Sequence, residues 1–170
     1  MTKQNAWVMR LPWSLIEDVA DEENVPKNLL AAIVQTESSN NQWACRFEPH
    51  YKWIYKTKEN ARDNGITEAT ETVMQMTSFG LCQVMGAVAR ELGLKGHIFQ
   101  LLDQKVNLEY AAKLLKRIAS RYNERDDIIA AYNAGSPIKG MNGAYRNQAY
   151  VDKVNLYLSA IETALKGQGG

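Results

Sequence analysis

The sequence predicts a mainly α-helical single domain with one irregular lobe at about residues 44–77. Three observations carry that prediction. Apolar residues recur at spacings of three and four over most of the chain, the period of a helix with one buried face. The stretch 44–77 is polar and mixed and holds no sustained period. At 170 residues, 45% apolar and 23% charged, the chain has the length and composition of one globular domain. A domain of this size buries about 70% of its unfolded surface and needs no staples. Its core is expected over about residues 12–165 of the 170.

Taken in order, the first helix is expected to open on a capping box, Ser14 at the N-cap and Glu17 at the third helical position. It should stop near Asn24, ahead of Pro26, and Pro26 suits the first turn of a second helix. Leu29, Leu30, Ile33 and Val34 give that second helix a buried stripe. Within the lobe, Gly65 marks a turn and a short helical pattern follows Thr67. The strongest pattern runs over 104–122, where Leu108, Ala111, Ala112, Leu115, Ile118, Ala119 and Tyr122 share one face. A helix over 126–134 opens on Asp126 and Asp127, favourable against the helix dipole, and ends at Gly135. The last helix, from about Asn147, turns Val151, Val154, Leu158, Ile161 and Leu165 inward.

Composition excludes several classes. Twenty basic and nineteen acidic side chains leave a net charge of +1, unlike the basic excess of a dedicated nucleic-acid binder. Two cysteines are too few for a disulfide scaffold. No apolar run approaches the roughly 18 residues of a membrane span. The start, from Met1 to Arg10, lacks the apolar core of a signal peptide, so signal-directed secretion is not expected. Charge is uneven: residues 1–77 carry eight basic and eleven acidic groups, residues 78–170 twelve and eight. The second half therefore either presents solvated helix faces or favours an anionic polymer. The only histidines, His50 and His97, have no metal-ligand spacing, and no metal or other cofactor is expected. His97, after Gly96, reads as a surface residue or one leading into a helix.

The first chemical question is Glu37. It lies three and four residues beyond Val34 and Ile33 and so extends their apolar stripe. Either it turns out to water at a helix end, or it is a desolvated carboxyl whose raised pKa suits a general acid. The turn-prone run Ser38-Ser39-Asn40-Asn41 should end the helix there, setting Glu37 at the mouth of a cleft. Two further polar clusters sit amid apolar residues. Gln83 lies between Gly80 and Gly86, and Tyr132 stands beside Asn133 just before Gly135.

The three clusters match one family in order. Glu37-Ser38-Ser39, then Gly80-Leu81-Cys82-Gln83-Val84-Met85, then Ala131-Tyr132-Asn133-Ala134-Gly135 resemble the soluble lytic transglycosylases, a lysozyme-like superfamily related to goose-type lysozyme. The resemblance includes Asn107 with Tyr110, and Tyr150-Val151, and covers about residues 12–158. It implies a lysozyme-like fold and a lyase acting on peptidoglycan glycan strands, at the β-1,4 bond from N-acetylmuramic acid to N-acetylglucosamine. Glu37 matches the acid/base. It would protonate the glycosidic oxygen and then take the proton from the muramoyl 6-hydroxyl as that oxygen closes a 1,6-anhydro ring. Such an intramolecular nucleophile explains why one carboxylate stands without a clear partner, where hydrolases use two, about 5–10 Å apart.

The resemblance also gives Gln83 a role in bonding substrate or orienting the loop, and sets Tyr132 near the carboxylate. Asn133 would bond the sugar or brace the loop, Met85 would line the cleft, and Ser38 would support the backbone after Glu37. Cys82 reads as an apolar wall residue, and whether it pairs with Cys45 stays open. Where the family often continues Met-Pro-x-Thr, this chain has Met85-Gly86-Ala87-Val88, which puts that helix start in doubt. The lobe is longer than in compact members. Its Tyr51, Trp53 and Tyr55 either stack on sugars or anchor the lobe, and Glu48 or Glu71 could supply a second carboxylate. A second carboxylate would make the protein a hydrolytic muramidase. A non-catalytic virion or wall-binding protein is the remaining alternative. The bare domain resembles phage-associated members, reaching the wall through a holin or in a virion. A monomer is expected, with no nucleic-acid partner and no membrane span.

Overall fold

In the computed structural model, residues 6–166 are described, and residues 1–5, part of the run read for a leader, and 167–170 lie outside the described residues. The described chain is mainly helical, as the periodicity predicts. Its eight α-helices are α1 (Trp13–Glu23), α2 (Lys27–Ser38), α3 (Thr57–Asp63), α4 (Glu68–Gln75), α5 (Gly86–Glu91), α6 (Gln104–Ala119), α7 (Arg125–Ala134) and α8 (Gln148–Lys166). Three short strands, β1 (Cys45–Phe47), β2 (Thr77–Phe79) and β3 (Val84–Met85), form one antiparallel sheet in that order. The chain divides into two compact units, one within residues 6–36 and 112–166, the other Glu37–Ala111.

In the first unit, α1 begins at Trp13 rather than behind a Ser14 cap, which corrects the capping-box expectation. The Trp13 indole donates to the Val8 carbonyl at 2.8 Å, and the Pro12 carbonyl accepts from the amide of Ile16, so the start is fixed without a side-chain cap. The helix ends where expected, at Asn24, whose left-handed φ of 56° is one that Asn tolerates. The Pro26 carbonyl accepts from the amides of Leu29 and Leu30 and opens α2. Leu30, Ile33 and Val34 are fully buried. So are Ile129 of α7 and Val151, Val154 and Ile161 of α8, and α7 packs on α8. Each such side chain contributes about 1.5–3 kcal/mol relative to exposure. Leu165 is only half-buried, and α6 stops at Ala119, leaving Ala119 exposed and Tyr122 half-buried beyond the expected stripe. Gly135 caps α7 with a φ of 78°.

In the second unit the lobe is more regular than its composition suggests. It holds β1 and two helices, α3 and α4, packed on each other. Gly65 turns between them at a φ of 64°, and the Thr67 hydroxyl caps α4 by accepting from the amide of Thr70. The doubted start after Met85 is a true helix start. A Cβ on Gly86 would stand 2.3 Å from the Met74 carbonyl, so the substitution of Gly for Pro lets α5 approach α4. His97 leads into a 3-10 helix over Ile98–Leu102. Leu81, Cys82, Ala87, Ala89, Ile98, Leu101 and Leu108 are fully buried and form the core.

Candidate active site

Glu37 occupies the last turn of α2 and is half-buried, continuing a helix whose preceding turn is in the core. Ser39 and Asn40 follow with φ of 53° and 67°, left-handed geometry that ends the helix and reverses the chain. The turn is stitched by the Asn41 amide to the Ser38 hydroxyl at 3.0 Å and the Trp43 amide to the Asn41 side-chain oxygen at 3.0 Å. Ser38 therefore supports the backbone just after Glu37.

From that turn the chain runs to Ala44, whose carbonyl binds the Gly80–Gln83 loop. It accepts from the Gly80 amide at 2.8 Å and from the Gln83 side chain at 3.0 Å. Gln83 sits in the left-handed region, φ 48°, which turns its side chain back over its own loop. Its nitrogen also donates to the Gly80 carbonyl at 3.0 Å, and its oxygen lies 2.9 Å from the Ser78 hydroxyl. Both amide hydrogens of Gln83 are thus engaged by protein, a loop-bracing arrangement. Met85 ends β3, half-buried, opposite Ser78.

Asn107 holds the same loop from below. It is fully buried in α6, donates to the carbonyls of Phe79 and Leu101 at 2.8 Å each, and accepts from the Cys82 amide at 2.8 Å. Gly80, with φ 74°, has no room for a side chain, since a Cβ would lie 2.4 Å from the Asn107 amide nitrogen. Cys82 is buried and Cys45 exposed, and both are free thiols. Burial pushes the Cys82 thiol well up, and the Glu37 carboxylate pushes it further. Glu37 is therefore within electrostatic reach of the Gly80–Gln83 loop.

The two candidate second carboxylates differ. Glu71 is corrected outright: it is fully buried in α4, with its oxygens taken by the Arg90 guanidinium at 2.8 and 3.0 Å and by the Gln75 amide at 2.9 Å. It faces the interior of the lobe and is consumed by an ion pair. Glu48 is half-buried after β1, paired with Arg46.

In the first unit, Tyr132 and Asn133 close α7, Tyr132 half-buried and Asn133 exposed. The Asn147 amide donates to the Asn133 side-chain oxygen at 3.0 Å and to the Ala130 carbonyl at 3.1 Å. A cavity of about 540 Å³ in this unit, lined by residues including Pro26, Leu29, Leu115 and Leu158, contains none of the expected site residues. Sequence reasoning missed Ser78, Asn147 and Arg90. Arg90 had a signal: it lies three residues after Ala87 on a short apolar helix, where a charge needs a partner. Among the described residues, no three His, Cys, Asp or Glu side chains converge on a metal position, and no helix is long and apolar enough to cross a membrane.

Compared with known families, residues 14–155 match the transglycosylase SLT domain. No curated protein matches the chain.

Proposed function

We propose, for a chain that belongs to the transglycosylase SLT domain family and is therefore a lytic transglycosylase acting on peptidoglycan, that Glu37 is its single acid and base. The observation that carries this is the setting of Glu37. It ends a buried helix, is half-buried, and its charge is felt by the buried Cys82 thiol beside Gln83. A carboxyl at that position can give a proton as acid and take one back as base. Glu37 protonates the glycosidic oxygen between N-acetylmuramic acid and N-acetylglucosamine as positive charge develops at the anomeric carbon. The ionised carboxylate then takes the proton of the muramoyl 6-hydroxyl, whose oxygen forms the new bond to that carbon. One C–O bond breaks and one forms, the proton is returned, and no water is consumed.

The consumption of Glu71 by Arg90 supports this over a hydrolytic muramidase, because it removes one of two candidate partners. In this reading Gln83, Ser78 and Asn107 brace the loop beside Glu37, Met85 lines the sugar site, and Tyr132 and Asn133 contact substrate. The assignment extends to a monomeric, phage-associated enzyme that reaches the wall through a holin or in a virion. The phage association is supported by the resemblance of the run from Ser78 to Gly93 to phage-associated members of the family.

Digestion of purified sacculi followed by mass spectrometry tests the mechanism. Fragments ending in anhydromuramic acid, one water lighter than hydrolytic products, are expected, and reducing muramic acid ends would overturn it. Substituting Glu37→Gln should lower the rate about 10²-fold or more. Wall binding by folded protein with no released fragment would favour the non-catalytic alternative.

A further inference from the structure

The loop between β1 and α3 displays one strongly exposed aromatic side chain, and its backbone is held in place. Trp53 is 70% exposed, with Tyr51 packed edge-on against it at a centroid distance of 5.4 Å. The loop has no regular secondary structure, yet its backbone is fixed at both ends. At the start, the Glu48 amide donates to the Met76 carbonyl at 2.8 Å. At the far end, the side chain of Gln75 clasps Tyr55 like a strand partner, accepting from its amide at 2.7 Å and donating to its carbonyl at 2.8 Å. Asn60 donates to the same carbonyl at 2.9 Å.

Gln75 is itself fully buried and is oriented by Glu71, which is locked by Arg90. Arg90 completes its bonding on the carbonyls of Leu94 and Gly96. A buried charged relay is costly to assemble, and its hydrogen bonds fix the group at its end. Here it ends on the backbone of the loop that displays Trp53, so the conformation it specifies is that of the display.

We propose that Trp53, backed by Tyr51 on the loop clasped by Gln75, is a sugar-stacking platform that binds the peptidoglycan glycan strand beyond the bond being cleaved. The proposal rests on peptidoglycan being the substrate. An indole face carries negative quadrupole charge and a large apolar area, which matches the C–H-lined face of a pyranose. The surroundings fit the same occupant. The loop itself, residues 48–56, carries Lys52 and Lys56 against the single carboxylate of Glu48, which is paired with Arg46, leaving positive charge complementary to the lactyl and peptide-stem carboxylates of the strand. The loop is also continuous with the site, since β1 follows directly on Ala44, the residue bonded by Gln83.

Four tryptophans give four indole N–H signals, and Trp53→Phe assigns the one that matters. Titration of the full chain with a β-1,4-linked N-acetylglucosamine oligomer should shift the Trp53 signal saturably. A Trp53 signal that stays still through saturation of the protein would overturn the proposal. On long glycan strands Trp53→Ala should raise KM about fivefold with kcat within about twofold, and Trp53→Phe should restore most of the affinity. An unchanged KM for Trp53→Ala would overturn it. The functional reading is judged separately, by whether the unaltered chain releases fragments from sacculi, and the indole titration decides the platform in either case.

Discussion

The ammonium of Lys153, on α8, donates a 2.8 Å hydrogen bond to the carbonyl oxygen of Thr36, the residue before Glu37. That carbonyl belongs to the last turn of α2, where the helix leaves its acceptors unsatisfied and its dipole is negative. Thr36 is buried, and its hydroxyl bonds back to the Ala32 carbonyl at 2.7 Å. The peptide that presents Glu37 is thus held by one lysine.

Replacing Lys153 by Met should therefore lower stability by about 1 kcal/mol, the scale of a cation at a helix C-terminus when the side chain is largely exposed. Lys153→Arg should recover most of it. Thermal unfolding reads the stability, and a fall in kcat at unchanged KM would mark the effect on Glu37 positioning. An unaltered Tm for Lys153→Met would contradict the capping role.

Asn107→Leu should destabilise the second unit by about 3 kcal/mol or more, because it strands two carbonyls and one amide in the interior. Gly80→Ala should be comparably damaging, since the added carbon meets both Asn107 and the Leu101 carbonyl. Urea unfolding of the two variants checks this, and a midpoint close to that of the unaltered protein in either would refute the bracing of the loop by Asn107.

The Arg90–Glu71 pair offers a sharper test. Side-chain exposures of 1% and 0% mean that Arg90→Met leaves a buried, unpaired carboxylate, which should cost about 3–5 kcal/mol. The double substitution Arg90→Met with Glu71→Met should be distinctly milder than Arg90→Met alone. Additive losses in a double-mutant cycle would show that the two groups do not depend on each other.

The segment after α7 should respond to acid. The Tyr145 hydroxyl and then the Lys139 ammonium, both bonded to Asp127, hold the Asp127 carboxyl below its ordinary value. A depressed carboxyl stabilises above its unfolded pKa and loses that contribution as pH falls through the folded one. The bridge between Lys139 and Tyr145 should therefore loosen below about pH 4. Asp127 also raises the Lys139 and Tyr145 groups, so those contacts persist until alkaline pH. Amide shifts of Gly140 and Arg146 across an acid titration would follow this, and Asp127→Asn should abolish the transition.

The helices were legible because their buried faces repeat at three and four residues and because Asn24 and Gly135 stop them by local backbone preference. The lobe was not, since α3 has seven residues and the strands two or three, lengths at which long-range packing outweighs local pattern. The Glu71 role was hidden for the same reason: Arg90 lies nineteen residues away in sequence. Glu37 was readable as a carboxylate on an apolar stripe. The engagement of Gln83 was not, because it follows from one left-handed residue that folds the side chain onto Ala44 and Gly80. Asn107 had a signal in its place on the apolar face with Ala111 and Leu115.

The central claim is that Glu37 directs the substrate's own hydroxyl, with no water entering the bond. Digestion of sacculi in ¹⁸O-labelled water, with mass spectrometry of the released muropeptides, measures this directly. Anhydro ends without label are expected from the unaltered enzyme. Labelled reducing ends would contradict the account and assign the chain to hydrolysis.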